Sequence, residues 1–194
     1  MAEASPNGDA RAVVLVEGVS DRAALAVLAE RRGMDLAGAG IEIVSMDGIT
    51  NIGHYLDVYC APARETHVTG LYDDGEERFV RRGLGRVGRL EPGGDLEPLG
   101  FYACSPDLED ELIRALGPGA VEEIVEACGE LRSFRTLQRQ PAQRARSLHD
   151  QLRRLMGGRS GGKERYAAAM AAAVPLDQVP RPLDAVLAHV CAAL

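Results

Sequence analysis

Five consecutive apolar residues, Ala12 to Val16, run directly into Glu17-Gly18, and a strongly helical stretch follows from Asp21. A run this short, continuous and apolar fits a buried strand. A buried strand that ends in a carboxylate, turns on a glycine and enters a helix sets acid at the carboxyl edge of a sheet, where open α/β folds bind ligands and metals. A second strand-like run, His67 to Tyr72, ends the same way, in Asp73-Asp74-Gly75-Glu76-Glu77. Two strand ends loaded with acid point to a cation site.

The organisation of the chain agrees with that start. Strands are predicted over Ala12–Val16, Ile41–Met46, His67–Tyr72 and Leu99–Cys104. Helices are predicted over Asp21–Arg32 with Ser20 as N-cap, over Asn51–Tyr59, and over Glu76–Arg82 with Gly83 as its stop. Strands alternating with helices imply βαβ units, a parallel sheet and right-handed crossovers. After Ser105 only helical spacing remains, over Asp107–Leu116, Ala120–Leu131, Ala142–Met156, Lys163–Ala173 and Leu183–Ala193, punctuated by prolines. The expected class is therefore α/β, a parallel sheet over residues 11–104 with a helical extension over 105–194, preceded by a polar, disordered tail over 1–10.

With 46% hydrophobic and 26% charged residues the composition is globular, and 4% aromatics leave little for stacking nucleobases. No apolar run approaches the roughly 20 residues of a membrane span. The first ten residues lack the plan of a signal peptide, so a cytoplasmic location is expected. Cys60, Cys104, Cys128 and Cys191 are too scattered for a zinc site and read as small buried residues. The four histidines show no i,i+4 pair. Net charge conceals an asymmetry: residues 1–130 carry a balance of −14 and residues 131–194 one of +7. Such a chain suits a metal at its acidic half and a polyanion at its basic half, or else a basic half that packs on the acidic one.

Three acidic groups carry the candidate chemistry: Glu17 with Asp21, the set Asp73, Asp74, Glu76 and Glu77, and the set Asp107, Glu109, Asp110 and Glu111. Carboxylates held close together raise one another's pKa unless a cation neutralises them. Hard oxygen donors suit Mg²⁺ or Mn²⁺, and two such ions activate a water and stabilise the leaving oxygen of a phosphodiester. The 107–111 set also fits an ordinary acidic helix start, which favours the positive end of the helix dipole. Glu17 and Asp73 resist that reading, because each sits directly at the end of an apolar strand.

Val14-Leu15-Val16-Glu17-Gly18 with Ser20-Asp21 resembles the first motif of TOPRIM domains, the fold shared by bacterial primases, topoisomerases and some nucleases. The second motif of that family is Asp-x-Asp after the third strand. Asp73 matches its first position, but the second falls on Gly75, so Asp74 or Glu76 would have to substitute. The resemblance is closest to the OLD (overcoming lysogenization defect) nucleases, which add an acid four residues after the first Glu, a later acidic helix start and a downstream lysine. Here these are Asp21, the 107–111 segment and Lys163.

Lys163 also stands out by composition, as the one lysine beside 21 arginines. A compact point charge on a reacting phosphate is what arginine supplies less well, although chance also leaves single lysines. Gly157 to Lys163 fits part of a nucleotide P-loop, but Glu164 stands where a Mg²⁺-binding Ser or Thr belongs and a helix precedes the loop, so no ATP site is expected. Arg144, Arg146, Arg153, Arg154 and Arg159 precede Lys163 and read as a polyanion track or a solvated face.

The resemblance thus implies a TOPRIM-like domain that cleaves DNA with two Mg²⁺ or Mn²⁺ ions. Glu17 and Asp73 would hold the first ion, assisted by Asp74 or Glu76, and Asp21 with one of Asp107, Glu109 or Glu111 the second. Lys163 would stabilise the scissile phosphate, with the arginines positioning the strand. Relatives of this kind usually carry an ATPase module, so the resemblance leaves open a separate ATPase partner or a stand-alone role. The rival expectations are a degenerate TOPRIM scaffold that only binds a partner, motivated by Gly75, and a receiver-like regulator.

Overall fold

The computed structural model describes residues 10–62, 64–157 and 162–194. The expected tail therefore lies, apart from Ala10, outside the described residues. Strand β1 (Ala12–Val16) is shielded on both sides, with no residue more than 1% exposed. It pairs in parallel with β2 (Ile41–Ser45) on one edge and β3 (His67–Asp73) on the other, and β4 (Phe101–Cys104) extends the sheet beyond β3. The order is β2-β1-β3-β4, all parallel, as the alternation of elements requires.

Side chains on a strand alternate, and β1 divides accordingly. Ala12, Val14 and Val16 face one core, and Val13 and Leu15 face the other. Helix α1 (Val19–Arg31) packs on the first face. Helices α2 (Ile52–Tyr59) and α3 (Glu77–Arg86) pack on the second. The chain leaves β1 for β2 on one side, then returns past β1 to reach β3 on the other. The winding reverses between β1 and β3, and their carboxyl ends flank that switch point.

Six further helices complete the first face. They are α4 (Leu108–Leu116), α5 (Pro118–Ala127), α6 (Leu131–Gln138), α7 (Leu148–Gly157), α8 (Gly162–Ala173) and α9 (Arg181–Ala192). Leu25 and Leu28 of α1 share one buried core with Tyr166 and Met170 of α8 and Val186 of α9. The Arg31 guanidinium donates to the carbonyls of Ala171 at 2.7 Å and Val174 at 2.6 Å, tying the ends of α1 and α8 together. No helix among the described residues is long and apolar enough to cross a membrane.

Several boundaries differ from the sequence expectation, each for a local reason. Helix α1 starts at Val19 rather than Asp21, with Gly18 and not Ser20 at its N-cap, because the Gly18 N–H donates to Asp21 Oδ2 at 2.9 Å. Gly83 does not stop α3. It lets α2 approach, since a Cβ there would lie 2.8 Å from Leu56 Cδ1. The helix expected over Ala120–Leu131 is α5, which ends at Ala127 and is closed by Gly129 with a φ of 75°, and α6, a helix not expected from the sequence, follows from Leu131. Helix α7 begins at Leu148 rather than Ala142. The preceding turns are held by the Gln151 side-chain amide, which donates to the Gln143 carbonyl at 2.9 Å. Of the four cysteines only Cys104 is buried. Cys60 and Cys128 are half-buried, Cys191 is exposed, and all four are free thiols.

Gly70, in the middle of β3, is required by packing. A Cβ there would lie 2.7 Å from the Phe101 ring and 3.1 Å from the Leu15 carbonyl oxygen. Gly70→Ala is expected to lower stability by about 1–3 kcal/mol through overpacking, read by chemical denaturation. Adding Phe101→Leu should recover part of that loss. Additive losses in the double variant would contradict this contact.

Candidate metal centre

The site grows from the switch point. Glu17 follows β1, and its backbone is fixed by the neighbouring strand, because its carbonyl accepts the Gly48 N–H at 2.9 Å. Gly48 reaches it with a φ of 116°, a conformation that glycine tolerates and other residues avoid. Asp73 is the last residue of β3, paired in register with Cys104 of β4. Asp21 sits in the first turn of α1, facing back over the β1 end, with one oxygen engaged by the Gly18 N–H. The Asp107 carboxylate caps α4 by accepting the Asp110 N–H at 2.9 Å, which sets Glu109 in the helix's first turn.

These elements bring Glu17, Asp21, Asp73, Glu76, Asp107, Glu109 and Lys163 into one electrostatic group. Burial pushes Glu17 up to about 7, helped by the charge and carboxyl contact of Glu76 and by Asp21, and opposed by Lys163. Burial raises Asp21 to about 6, with Glu109 adding to the rise. Asp73 is pushed up to about 8 by burial and by Asp21, Glu17, Asp107 and Glu109. The charges of Glu17, Asp21 and Asp73 act on one another, so these three acids share their protons as a set.

Of the acids that follow Asp73, Glu76 is the one that reaches Glu17. The short 3-10 turn Asp74–Glu76 carries the chain so that Glu76 meets Glu17 carboxyl to carboxyl. Gly75 is exposed, with open space where its Cβ would be. Asp74 is exposed as well and accepts a weak hydrogen bond from Ser105 Oγ at 3.4 Å. Glu17 Oε2 and Glu76 Oε2 are buried without a hydrogen-bond partner, and Glu109 Oε1, which accepts no hydrogen bond, has the Lys163 ammonium 3.5 Å away. Such acceptors are costly unless a proton or a cation satisfies them.

Among the described residues, no three of these acids already close around one point as a finished ligand set. They stand instead at the range where their charges couple. Hard oxygen donors, orphaned buried acceptors and raised protonation together fit a hard divalent cation such as Mg²⁺ or Mn²⁺. Glu111 takes no part in this group's contacts. It pairs with Arg114 at 2.7 Å and accepts the Ser105 N–H at 3.0 Å.

Lys163, at the start of α8, directs its ammonium to Glu109 Oε1 at 3.5 Å while half of its side chain stays exposed. It borders a cleft of about 300 Å³ whose lining mixes the acids Asp107, Glu109 and Asp150 with Arg146, Arg153 and Arg154. Arg153 pairs with Asp107. Arg144 is turned away and donates to the Arg139 carbonyl at 2.8 Å. Arg159 and most of the glycine-rich loop before Lys163 lie outside the described residues.

Sequence reasoning missed a supporting network. Asp110 is buried, accepts from Arg114 at 2.7 Å and meets His149 Nε2 at 2.6 Å. The i,i+4 spacing of Asp110 and Arg114 was a readable signal. The approach of His149 from α7 was not, because it depends on how the helices pack.

A raised acid binds its proton more tightly in the folded state. Its stabilising effect is complete below the unfolded value near 4 and is lost as pH rises through the folded values, about 6 to about 8. The metal-free protein should therefore melt at a lower temperature at about pH 8 than at about pH 5. Mn²⁺ should restore more stability at the higher pH and release protons on binding, read by calorimetry in buffers of different ionisation enthalpy. Melting that rises with pH, together with binding that releases no proton, would contradict the shared-proton cluster.

Comparison with known proteins agrees with this geometry. Residues 10–69 match the family of overcoming lysogenization defect protein-like TOPRIM domains. The C-terminal region of the OLD protein of Xanthomonas campestris pv. campestris is 28% identical, with a TM-score of 0.72 over 95% of this chain and 93% of that one. The C-terminal region of the Burkholderia pseudomallei OLD protein is 22% identical, with a TM-score of 0.69 over 95% and 99%, a likeness that speaks to the fold alone. No curated protein matches the chain. Residues 10–69 are thus similar to the OLD-like TOPRIM domains, and the chain has the fold of the C-terminal region of OLD proteins.

Proposed function

We propose that the chain is a metal-dependent nuclease module that hydrolyses DNA phosphodiesters at the carboxyl ends of β1 and β3. The observation that carries this reading is the facing pair Glu17 and Glu76 beside Asp73: Glu17 Oε2 and Glu76 Oε2 are buried without a hydrogen-bond partner, and burial with neighbouring negative charge raises Glu17 and Asp73. Glu17, Glu76 and Asp73 would hold one Mg²⁺ or Mn²⁺ ion, and Asp21 with Glu109 a second. Bound there, such ions supply an activated water and neutralise charge on the phosphate and the leaving oxygen.

The chain's own groups do the rest. Burial of the acid cluster keeps its field strong, so ligand carboxylates attract a cation and surrender their protons to make room for it. In the absence of DNA the Lys163 ammonium leans on Glu109. With a strand in the cleft it would turn to the non-bridging oxygens of the scissile phosphate, and its half-exposed side chain has room to do so. Asp107 works indirectly: by capping α4 it orients Glu109, and by pairing with Arg153 it holds that guanidinium at the cleft wall. Asp74 and Glu111 are committed to Ser105 and Arg114, and they steady the β4–α4 turn. A separate ATPase partner remains part of this reading, on the resemblance to OLD proteins.

Supercoiled plasmid incubated with the protein and Mg²⁺ or Mn²⁺ should be nicked or linearised. Glu17→Gln and Asp73→Asn should bring cleavage to background while leaving the fold intact by circular dichroism. Lys163→Ala should slow cleavage about 100-fold or more, with a smaller effect on DNA binding, and Lys163→Arg should recover only part of the rate. Cleavage that survives both acid substitutions would sink the catalytic assignment. Metal binding without cleavage by the unaltered protein would favour the scaffold reading that the glycine at position 75 suggests.

A further inference from the structure

A groove of about 600 Å³ lies between α6 and α7, lined by Gly129, Arg132, Ser133, Thr136, Gln140 and Arg154 together with two leucines. Arg154 is also a wall of the cleft beside Lys163, so groove and cleft adjoin through one guanidinium. The charged residues that line the groove are both arginines, with no carboxylate among the lining. Neighbouring arginines behave differently. Arg135 pairs with Glu122, Arg153 with Asp107 and Arg165 with Glu130, whereas Arg132 and Arg154 have no carboxylate partner among the described residues and are exposed.

We propose that this groove is the exit track of the substrate: a DNA strand engaged at the metal centre continues past Arg154 and lays its phosphates along α6, with Arg132 as the distal contact. This rests on the nuclease reading above and adds to it a direction, a surface and a residue. Several features select a phosphate backbone rather than another occupant. Two unneutralised guanidiniums, Arg132 on α6 and Arg154 on α7, attract a repeating anion, and Arg is suited to grip phosphate through paired N–H donors. Thr136 and Gln140 add neutral polar groups of the kind that contact sugar and phosphate oxygens. No aromatic side chain lines the groove, so nothing there stacks a base, and the contacts would be blind to sequence. The acid cluster repels DNA wherever a cation does not bridge it, so an anion-attracting surface adjoining it supplies the affinity that the centre itself lacks.

The test separates binding from chemistry. Fluorescein-labelled duplex and single-stranded oligonucleotides are titrated with the protein in Ca²⁺, and anisotropy is read over a range of salt. Arg132→Glu should weaken binding about tenfold and flatten the dependence of log K on log salt by about one. Its Mn²⁺ affinity, measured without DNA, should not change. Arg89→Glu, an equal charge change at an exposed residue outside both the cleft and the groove, should have little effect on either. Equal binding by the Arg132 and Arg89 variants would overturn the track while leaving the nuclease reading intact. A wild-type protein that binds neither oligonucleotide would overturn both. Weakened binding in Arg132→Glu, with plasmid cleavage that survives Glu17→Gln, would overturn the catalytic assignment and leave the track standing.

Discussion

The structure depends on β1 being buried on both faces. Its alternating side chains feed two cores at once, so neither the α1 layer nor the α2–α3 layer can form without it. A strand enclosed in this way has only its ends to offer solvent, and the carboxyl end is where Glu17 lies. The reversal of winding between β1 and β3 then opens the crevice at that end and sets Asp73 on its other side. Fold and candidate site are consequences of the same buried strand.

The crowded acids follow from that placement and work against stability. Desolvation alone disfavours ionised Glu17, Asp21 and Asp73, and their mutual repulsion adds to it. Nothing in the packing of the domain calls for Glu17 and Glu76 to face each other. Acids raised together by burial and mutual charge at one crevice are the usual mark of a functional centre rather than a structural one. The helical half contributes the opposite charge, from Lys163 on α8 to the arginines of α7 and α6, so cations of the chain itself border the acid cluster.

Much of this was legible along the chain because it is local. The run Ala12–Val16 and the acids directly after two strands need no distant partner to be recognised, and neither does the helical spacing of α8 and α9. What was not legible is set by packing. Gly83 reads as a stop until Leu56 is seen against it, and Ser20 reads as the N-cap until Asp21 is seen to take the Gly18 N–H. The choice among Asp74, Gly75 and Glu76 turns on a single 3-10 turn, which no periodicity signals. The different fates of Asp107, Glu109 and Glu111 depend on Arg153, Lys163 and Arg114, two of which arrive from helices some fifty residues away.

The central claim is that the acids of the β1 and β3 ends form a divalent-cation site. Anomalous diffraction at the manganese edge, from crystals equilibrated with Mn²⁺, addresses it most directly. Manganese bound by the carboxylates of Glu17, Asp73 and Glu76 is the expected result. Manganese ordered only elsewhere on the molecule, or absent from a crevice in which Glu17 and Glu76 still face each other, would contradict it.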